Sequence, residues 1–137
     1  MIQFLGMTAR QIARILLNCF LYGGKVLIVG NGGSAAEAQH FSSELMGGLS
    51  KKKAEGFPAI ALTTDTAFLT AWSNDMGFEN VFARQVRLLG VSGDVLIVLS
   101  TSGKSPNCLK AREAAIENGL EVIDFPRPGK TTAEIQE

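Results

Sequence analysis

The sequence predicts an α/β protein in which a parallel β-sheet carries helices on both faces. Three observations lead there: apolar, β-branched runs too continuous for a sheet with one wet face, glycine- or hydroxyl-rich turns directly after those runs, and helical periodicity between them. The 137 residues suit one domain with a sizeable core. Hydrophobic residues at 46% and 15 glycines agree with a globular chain of tight turns.

Along the chain, Ile12, Ile15, Leu16, Cys19 and Phe20 recur at helical spacing, and Gly23-Gly24 ends that helix. Arg10, Arg14 and Asn18 interrupt its apolar character, so it reads as an amphipathic helix and neither a signal peptide nor a membrane span. Val26-Leu27-Ile28-Val29 is the first strand and runs into Gly30-Asn31-Gly32-Gly33-Ser34, followed by an Ala-rich helix. Ser34 is expected as its N-cap, with Glu37 completing a capping box. Residues 58–62 form a second strand, then the polar turn Thr63-Thr64-Asp65-Thr66 and a helical stretch. A helix over 79–89 presents Val81, Phe82, Val86 and Leu89 on its apolar side. The third strand covers 94–99, a hydroxyl-rich turn covers 100–105, and a helix over 106–118 stops at Gly119. A fourth strand starts at Leu120-Glu121-Val122-Ile123.

Charge narrows the function classes. Lys+Arg and Asp+Glu balance at 13 each, which gives no overall attraction for nucleic acid. The only basic run, Lys51-Lys52-Lys53, reads as a solvated loop. Cys19 and Cys108 lack metal or redox spacing and read as buried thiols in a reducing compartment, hence a cytoplasmic protein away from membranes.

In an open parallel sheet, ligands bind beyond the carboxyl ends of the strands. Gly30-Asn31-Gly32-Gly33-Ser34 places three glycines there, where the backbone turns sharply and can approach a ligand. Ser100-Thr101-Ser102-Gly103-Lys104-Ser105 places four hydroxyls before Pro106, a first-turn residue that leaves backbone N–H groups directed at the loop. A helix N-terminus lined by hydroxyl donors suits a phosphate. No glycine stands five positions before Gly103, so Gly103-Lys104-Ser105 is not a Walker loop. His40, the only histidine, and Glu44 lie four apart and share one helix face. Such a pair suits acid–base work, metal ligation or a plain surface contact.

Taken together, Gly30-Asn31-Gly32-Gly33-Ser34, Ala35-Ala36-Glu37-Ala38-Gln39-His40-Phe41 and Glu44-Leu45 resemble the sugar isomerase (SIS) domain family, most closely its phosphoheptose isomerases. The likeness continues through Ala59-Ile60-Ala61-Leu62-Thr63-Thr64-Asp65, Asn74-Asp75-Met76-Gly77-Phe78, Phe82-Ala83-Arg84-Gln85-Val86, Gly93-Asp94-Val95-Leu96 and Ser100-Thr101-Ser102-Gly103, nearly the whole chain. It implies a three-layer, flavodoxin-like sheet and a homotetramer with active sites between subunits. It implies isomerisation of sedoheptulose 7-phosphate to D-glycero-D-manno-heptose 7-phosphate through an enediol, an early step toward lipopolysaccharide heptose. By position, Ser100, Thr101, Ser102 and Ser105 would hold the phosphate. The Asn31-Gly32-Gly33-Ser34 turn, Asp75 and Gln136 would meet the sugar, and Glu44 would be the base. Some members hold zinc, for which His40, Glu44 and Gln136 match three of the ligands.

Three departures accompany the likeness. The family carries a longer N-terminal helical segment that helps pack subunits, whereas this sequence opens only shortly before the helix ending at Tyr22. Asp124-Phe125-Pro126 follows Ile123 at once, where the family has a loop, a helix and a strand; a segment of about 20 residues is expected to be absent, since a crossover helix alone needs about ten. Thr132-Ala133-Glu134-Ile135-Gln136-Glu137 matches the start of the family's last helix, whose histidine lies about two turns further on. The single SIS domain over 1–137 is therefore expected to be incomplete. The competing expectation is a non-catalytic SIS module that binds a replication initiator protein or senses a sugar phosphate. Retention of Glu44 favours the enzyme.

Overall fold

The apolar runs become strands and the segments between them become covering helices, in the order β1 (Ile2–Gln3), α1 (Ala9–Leu21), β2 (Val26–Gly30), α2 (Gly33–Gly47), β3 (Ala59–Ala61), α3 (Thr66–Met76), a 3-10 helix (Phe78–Asn80), α4 (Val81–Leu89), β4 (Val95–Ser100), α5 (Pro106–Glu117) and β5 (Glu121–Pro126). The computed structural model describes residues 2–3, 7–48 and 55–126. All strands pair in parallel, in the spatial order β1-β5-β4-β2-β3. From β3 inward this is the doubly wound order with its switch point between β2 and β4.

Side chains alternate across the sheet, and both sides are apolar. Leu27, Val29, Leu96, Val98 and Val122 meet Val81, Phe82 and Val86 of α4 and Cys108, Ala111, Ala114 and Ala115 of α5. Val26, Ile28, Val95, Ile97 and Ile123 meet Cys19 of α1 and Ala38 and Leu45 of α2, with Ile12, Ile15, Leu16 and Phe20 packed around them. The expected three layers are therefore present. Among the described residues, no helix is long and apolar enough to cross a membrane.

Several local expectations change. The sheet gains β1, a two-residue edge strand pairing Ile2 with Val122, too short to show periodicity. The second strand is trimmed to Ala59–Ala61, and the helix expected over 79–89 opens as the 3-10 helix before α4 begins at Val81. A positive φ at Gly77 and the Asn80 amide, donating to the Met76 carbonyl oxygen at 2.7 Å, hold that tighter turn. Ser34 is not the N-cap: Gly32 takes that place with φ +58°, the helix starts at Gly33, and Ser34 is buried in its first turn. The capping box with Glu37 is therefore not formed. β5 runs unbroken through the Ile123–Asp124 junction, with Asp124 opposite Val98 and Phe125 opposite Leu99.

Two buried carboxylates fasten the sheet. Asp94, 1% exposed at the start of β4, accepts hydrogen bonds from the Lys25 N–H (2.9 Å), the Lys25 ammonium (2.7 Å) and the Val91 N–H (2.9 Å). Asp124 on β5 accepts from the Arg112 guanidinium of α5 at 2.5 Å, while its second oxygen has no hydrogen-bond partner among the described residues. Burial pushes the Asp124 carboxyl above its usual value, against the downward pull of the Arg112 hydrogen bond and charge.

At Gly30, a Cβ would sit 2.9 Å from both the Leu99 and Ser34 carbonyl oxygens, so the β2–β4 pairing and the first turn of α2 both require its absence. Gly30→Ala should lower stability by about 1–3 kcal/mol, read as a reduced urea midpoint with an unchanged slope. Because the folded pKa of Asp124 is raised, its contribution is fully present below the unfolded value and is lost as pH rises through the folded value. Asp124→Asn keeps the shape and removes this titration. Its stability relative to the parent should therefore rise as pH is raised from about 4 to neutrality, and a pH-independent difference in urea melts would contradict this.

Candidate active site

Because β2 and β4 are adjacent and in register, with Gly30 opposite Leu99, the turns that follow them open side by side at the carboxyl edge of the sheet. The first is short: Asn31 and Gly32 lie between β2 and α2. The second runs from Thr101 to Ser105 before α5. Thr8 and Gln11 form a reciprocal capping box on α1, and Asp65 accepts from the Phe68 N–H at the start of α3, while α4 continues from the 3-10 helix without a side-chain cap. No side chain caps α2 or α5, the two helices that open on this crevice. At α2 the Ser34 and Ala35 N–H groups turn back onto the Asn31 and Gly32 carbonyl oxygens, while the partial positive charge of both helix N-termini still suits an anion.

The hydroxyl loop is shaped by its own side chains. Ser100 is buried and its oxygen accepts the Gly103 N–H at 3.1 Å; the Ser102 oxygen accepts the Lys104 N–H at 3.0 Å. Thr101 and Ser102 are exposed, and Ser105 lines a cleft of about 670 Å³ with Asn31, Phe78, Glu79, Pro106, Asn107 and Lys110. Pro106 takes the first helical position as expected. The structure thus brings together Asn31, Gly32, Gly33 and Ser34 at one lip of the crevice and Ser100, Thr101, Ser102 and Ser105 at the other.

Asn107 is missing from the expected set. It is 2% exposed, and its amide exchanges two hydrogen bonds with that of Asn31, each at 2.9 Å. The sequence offered one signal, an amide two residues after a hydroxyl-rich turn, which by itself is indistinguishable from a helix-surface residue. Cys108 follows it, buried as expected; burial pushes its thiol up to about 11, so the sulfur remains protonated. Cys19 is likewise buried and pushed up to about 11 by burial and the nearby Asp94 charge.

The remaining expected residues lie apart from the cleft. His40 and Glu44 do share one face of α2, with imidazole Nε2 3.6 Å from carboxylate Oε1, but their side chains are 78% and 53% exposed. Asp75 is exposed near the end of α3, where it accepts from the Asn74 amide at 3.1 Å. Gln136 and Lys51-Lys52-Lys53 lie outside the described residues. An imidazole and a carboxylate are donors of the kind zinc takes. Among the described residues, no group of three or more His, Cys, Asp or Glu could complete such a site.

A family model described as the SIS domain matches residues 7–125. A phosphoheptose isomerase from Bradyrhizobium sp. (strain ORS 278) is 54% identical over 118 residues, covering 86% of this chain and 59% of that protein. The phosphoheptose isomerase of Neisseria gonorrhoeae (strain NCCP11945) is 52% identical over 113 residues, covering 82% and 57%. The chain thus spans less than two thirds of the length of these curated relatives. Among solved structures, phosphoheptose isomerases from Neisseria gonorrhoeae (TM-score 0.79, 42% identity) and Francisella tularensis (TM-score 0.82, 38% identity) each superpose on 93% of this chain, which covers 76% of theirs. With a family model matched over most of its length and a flavodoxin-like sheet carrying the glycine and hydroxyl loops at its switch point, the chain belongs to the SIS domain family.

Proposed function

We propose that this chain carries the phosphate-binding loops and the base of an aldose–ketose isomerase that converts sedoheptulose 7-phosphate to D-glycero-D-manno-heptose 7-phosphate. The observation that carries the reading is the meeting of two uncapped helix N-termini, one of them ringed by hydroxyls, at the β2–β4 switch point. Its likeness to named phosphoheptose isomerases supplies the substrate.

In this reading the phosphate docks on the N-terminus of α5, held by Ser100, Thr101, Ser102 and Ser105. Being remote from the reacting carbons, it contributes binding energy that positions the substrate. The sugar chain runs along the Asn31-Gly32-Gly33-Ser34 turn, with Asp75 and, by family position alone, Gln136 as its further contacts. Glu44 removes a proton from one of C1 and C2 and returns it to the other, through an enediol whose developing oxygen charge requires a donor. Zinc at His40, Glu44 and Gln136 is part of the proposal; as a Lewis acid it would polarise the carbonyl.

Geometry supports a site shared between subunits. Glu44 stands 11 residues beyond Gly33 in α2, about 16 Å along the axis at about 1.5 Å per residue. A seven-carbon phosphate spans eight bonds from phosphorus to C1, about 10 Å at the per-bond reach of an extended chain. A phosphate in the crevice therefore presents its C1 and C2 more readily to Glu44 of a second copy. Leu17, Leu21 and Tyr22 leave α1 with exposed apolar surface of the kind a homotetramer buries. The cytoplasm, where sugar phosphates are made, is the proposed compartment.

Incubating the purified protein with sedoheptulose 7-phosphate should produce the aldose by NMR; no turnover, with or without zinc, would sink the proposal in favour of a non-catalytic SIS module. Glu44→Gln should lower kcat by about 10²-fold or more with KM little changed. His40→Ala should lower the zinc content measured by elemental analysis of the purified protein. Mixing subunits of Glu44→Gln with subunits of Ser102→Ala should regain activity that neither has alone. Absence of complementation after verified subunit exchange would refute the shared site.

A further inference from the structure

We propose that Asn107 is a positioning residue: through its paired amide it locks the hydroxyl loop to the glycine loop and sets the distance between the phosphate end and the sugar end of the site. A buried amide is costly unless its donors and acceptor are used. Both hydrogen bonds of the Asn107 side chain run to Asn31, 76 residues away in sequence. The pair bridges the switch point where α2 and α5 turn to opposite faces of the sheet, the place where the chain otherwise provides no backbone ladder beyond Gly30 opposite Leu99. The Asn31 amide also donates to the Cys108 sulfur at 4.0 Å, a weak acceptor.

The pairing also redefines Asn31. An amide offers two N–H donors and two carbonyl lone pairs, and the clamp uses one of each. Asn31 keeps one lone pair, and a donor held otherwise only by the weak Cys108 sulfur, for a sugar hydroxyl, and their direction is set by Asn107 behind it. Loss of the clamp should leave the phosphate cradle intact, because Ser100, Ser102 and Gly103 hold their own bonds within the loop. What it should lose is the orientation of the sugar. The inference about catalysis rests on the proposed isomerase reading; the clamp itself does not.

The test therefore has two arms. Hydrogen exchange followed by NMR should show the Ser34, Ala35 and Ala36 amides, which close the first turn of α2 on Asn31 and Gly32, exchanging about tenfold faster in Asn107→Ala, the loss expected from one or two neutral hydrogen bonds. The Val26–Gly30 amides serve as the control for global stability. Unchanged exchange at 34–36 would overturn the clamp whether or not the protein turns over substrate. Should Asn107→Ala fail to fold, Asn31→Ala removes the clamp from its half-exposed side, and the Leu109 amide, bonded to Ser105 O, is read instead with the same two outcomes. In the second arm, Asn107→Ala should bind inorganic phosphate within about twofold of the parent while kcat/KM falls about tenfold, mainly in kcat. Parallel losses of phosphate affinity and kcat would identify a merely structural asparagine. Phosphate binding without turnover in the parent would count against the isomerase and leave the exchange arm to decide the clamp.

Discussion

The β2–β4 pairing is the constraint on which the rest of the molecule depends. Parallel strands place their carboxyl ends at the same edge, and this register sets Gly30 against Leu99 so that both strands end level. The connections then leave in opposite directions, α2 to one face and α5 to the other, which opens a crevice whose two lips are backbone turns. Nothing larger than hydrogen fits on the Gly30 α-carbon between the Leu99 and Ser34 carbonyl oxygens. The same close contact that joins the strands therefore brings the glycine loop up to the hydroxyl loop. At the opposite edge, Asp94 joins the start of β2, through Lys25, to the turn before β4, so the pair is held at both ends.

Much of this was legible in the sequence, for physical reasons. A strand buried on both faces must be apolar at every position, so Val26-Leu27-Ile28-Val29 and Val95-Leu96-Ile97-Val98 announce the central strands without alternation. Helical periodicity does the same for Ile12, Ile15, Leu16 and Cys19. What escaped lies where tertiary pairing overrides local pattern. Two residues at Ile2–Gln3 carry no period, and only β5 makes them a strand. Ser34 has the chemistry of an N-cap, but a positive φ at Gly32 starts the helix earlier and turns the serine inward. Asn107 was invisible because its partner is 76 residues away, and no local rule pairs two amides at that separation. The loops themselves were readable from glycine and hydroxyl content; their contact was not.

Capping differs between α1 and α3, which start away from the crevice, and α2 and α5, which open on it; α4 continues directly from the 3-10 helix and needs no start of its own. Thr8 and Asp65 satisfy the first turns of α1 and α3 with their own side chains, using the strongest local means available. At α2 the corresponding position is glycine, and at α5 it is a serine whose hydroxyl makes no cap bond. Forgoing the cap bond costs up to about 1 kcal/mol of helix stability at α5 and only about a few tenths at α2, where glycine stands. Stability is recovered away from the ligand, in the alanine-rich packing of α5 against β4 and in the Arg112–Asp124 pair that ties the same helix to β5. The rigid part of α5 thus lies behind the crevice, and its open end lies within it.

The phosphate end and the proton-transfer end of the proposed chemistry differ in how completely one chain builds them. Anion binding needs only backbone donors and neutral hydroxyls held in a fixed shape, and a single switch point supplies these from residues fewer than ten positions apart in each loop. Proton transfer needs a carboxylate placed against carbon in a site that excludes water, because water weakens every electrostatic interaction there. Glu44, more than half exposed three turns down α2, has the right chemistry and not yet the right surroundings. Whatever covers that face must bring a donor for the developing oxygen charge and must exclude solvent at the same time. In the proposed shared site a second copy of the chain would meet both demands with one contact, its crevice delivering the substrate as its surface displaced the water.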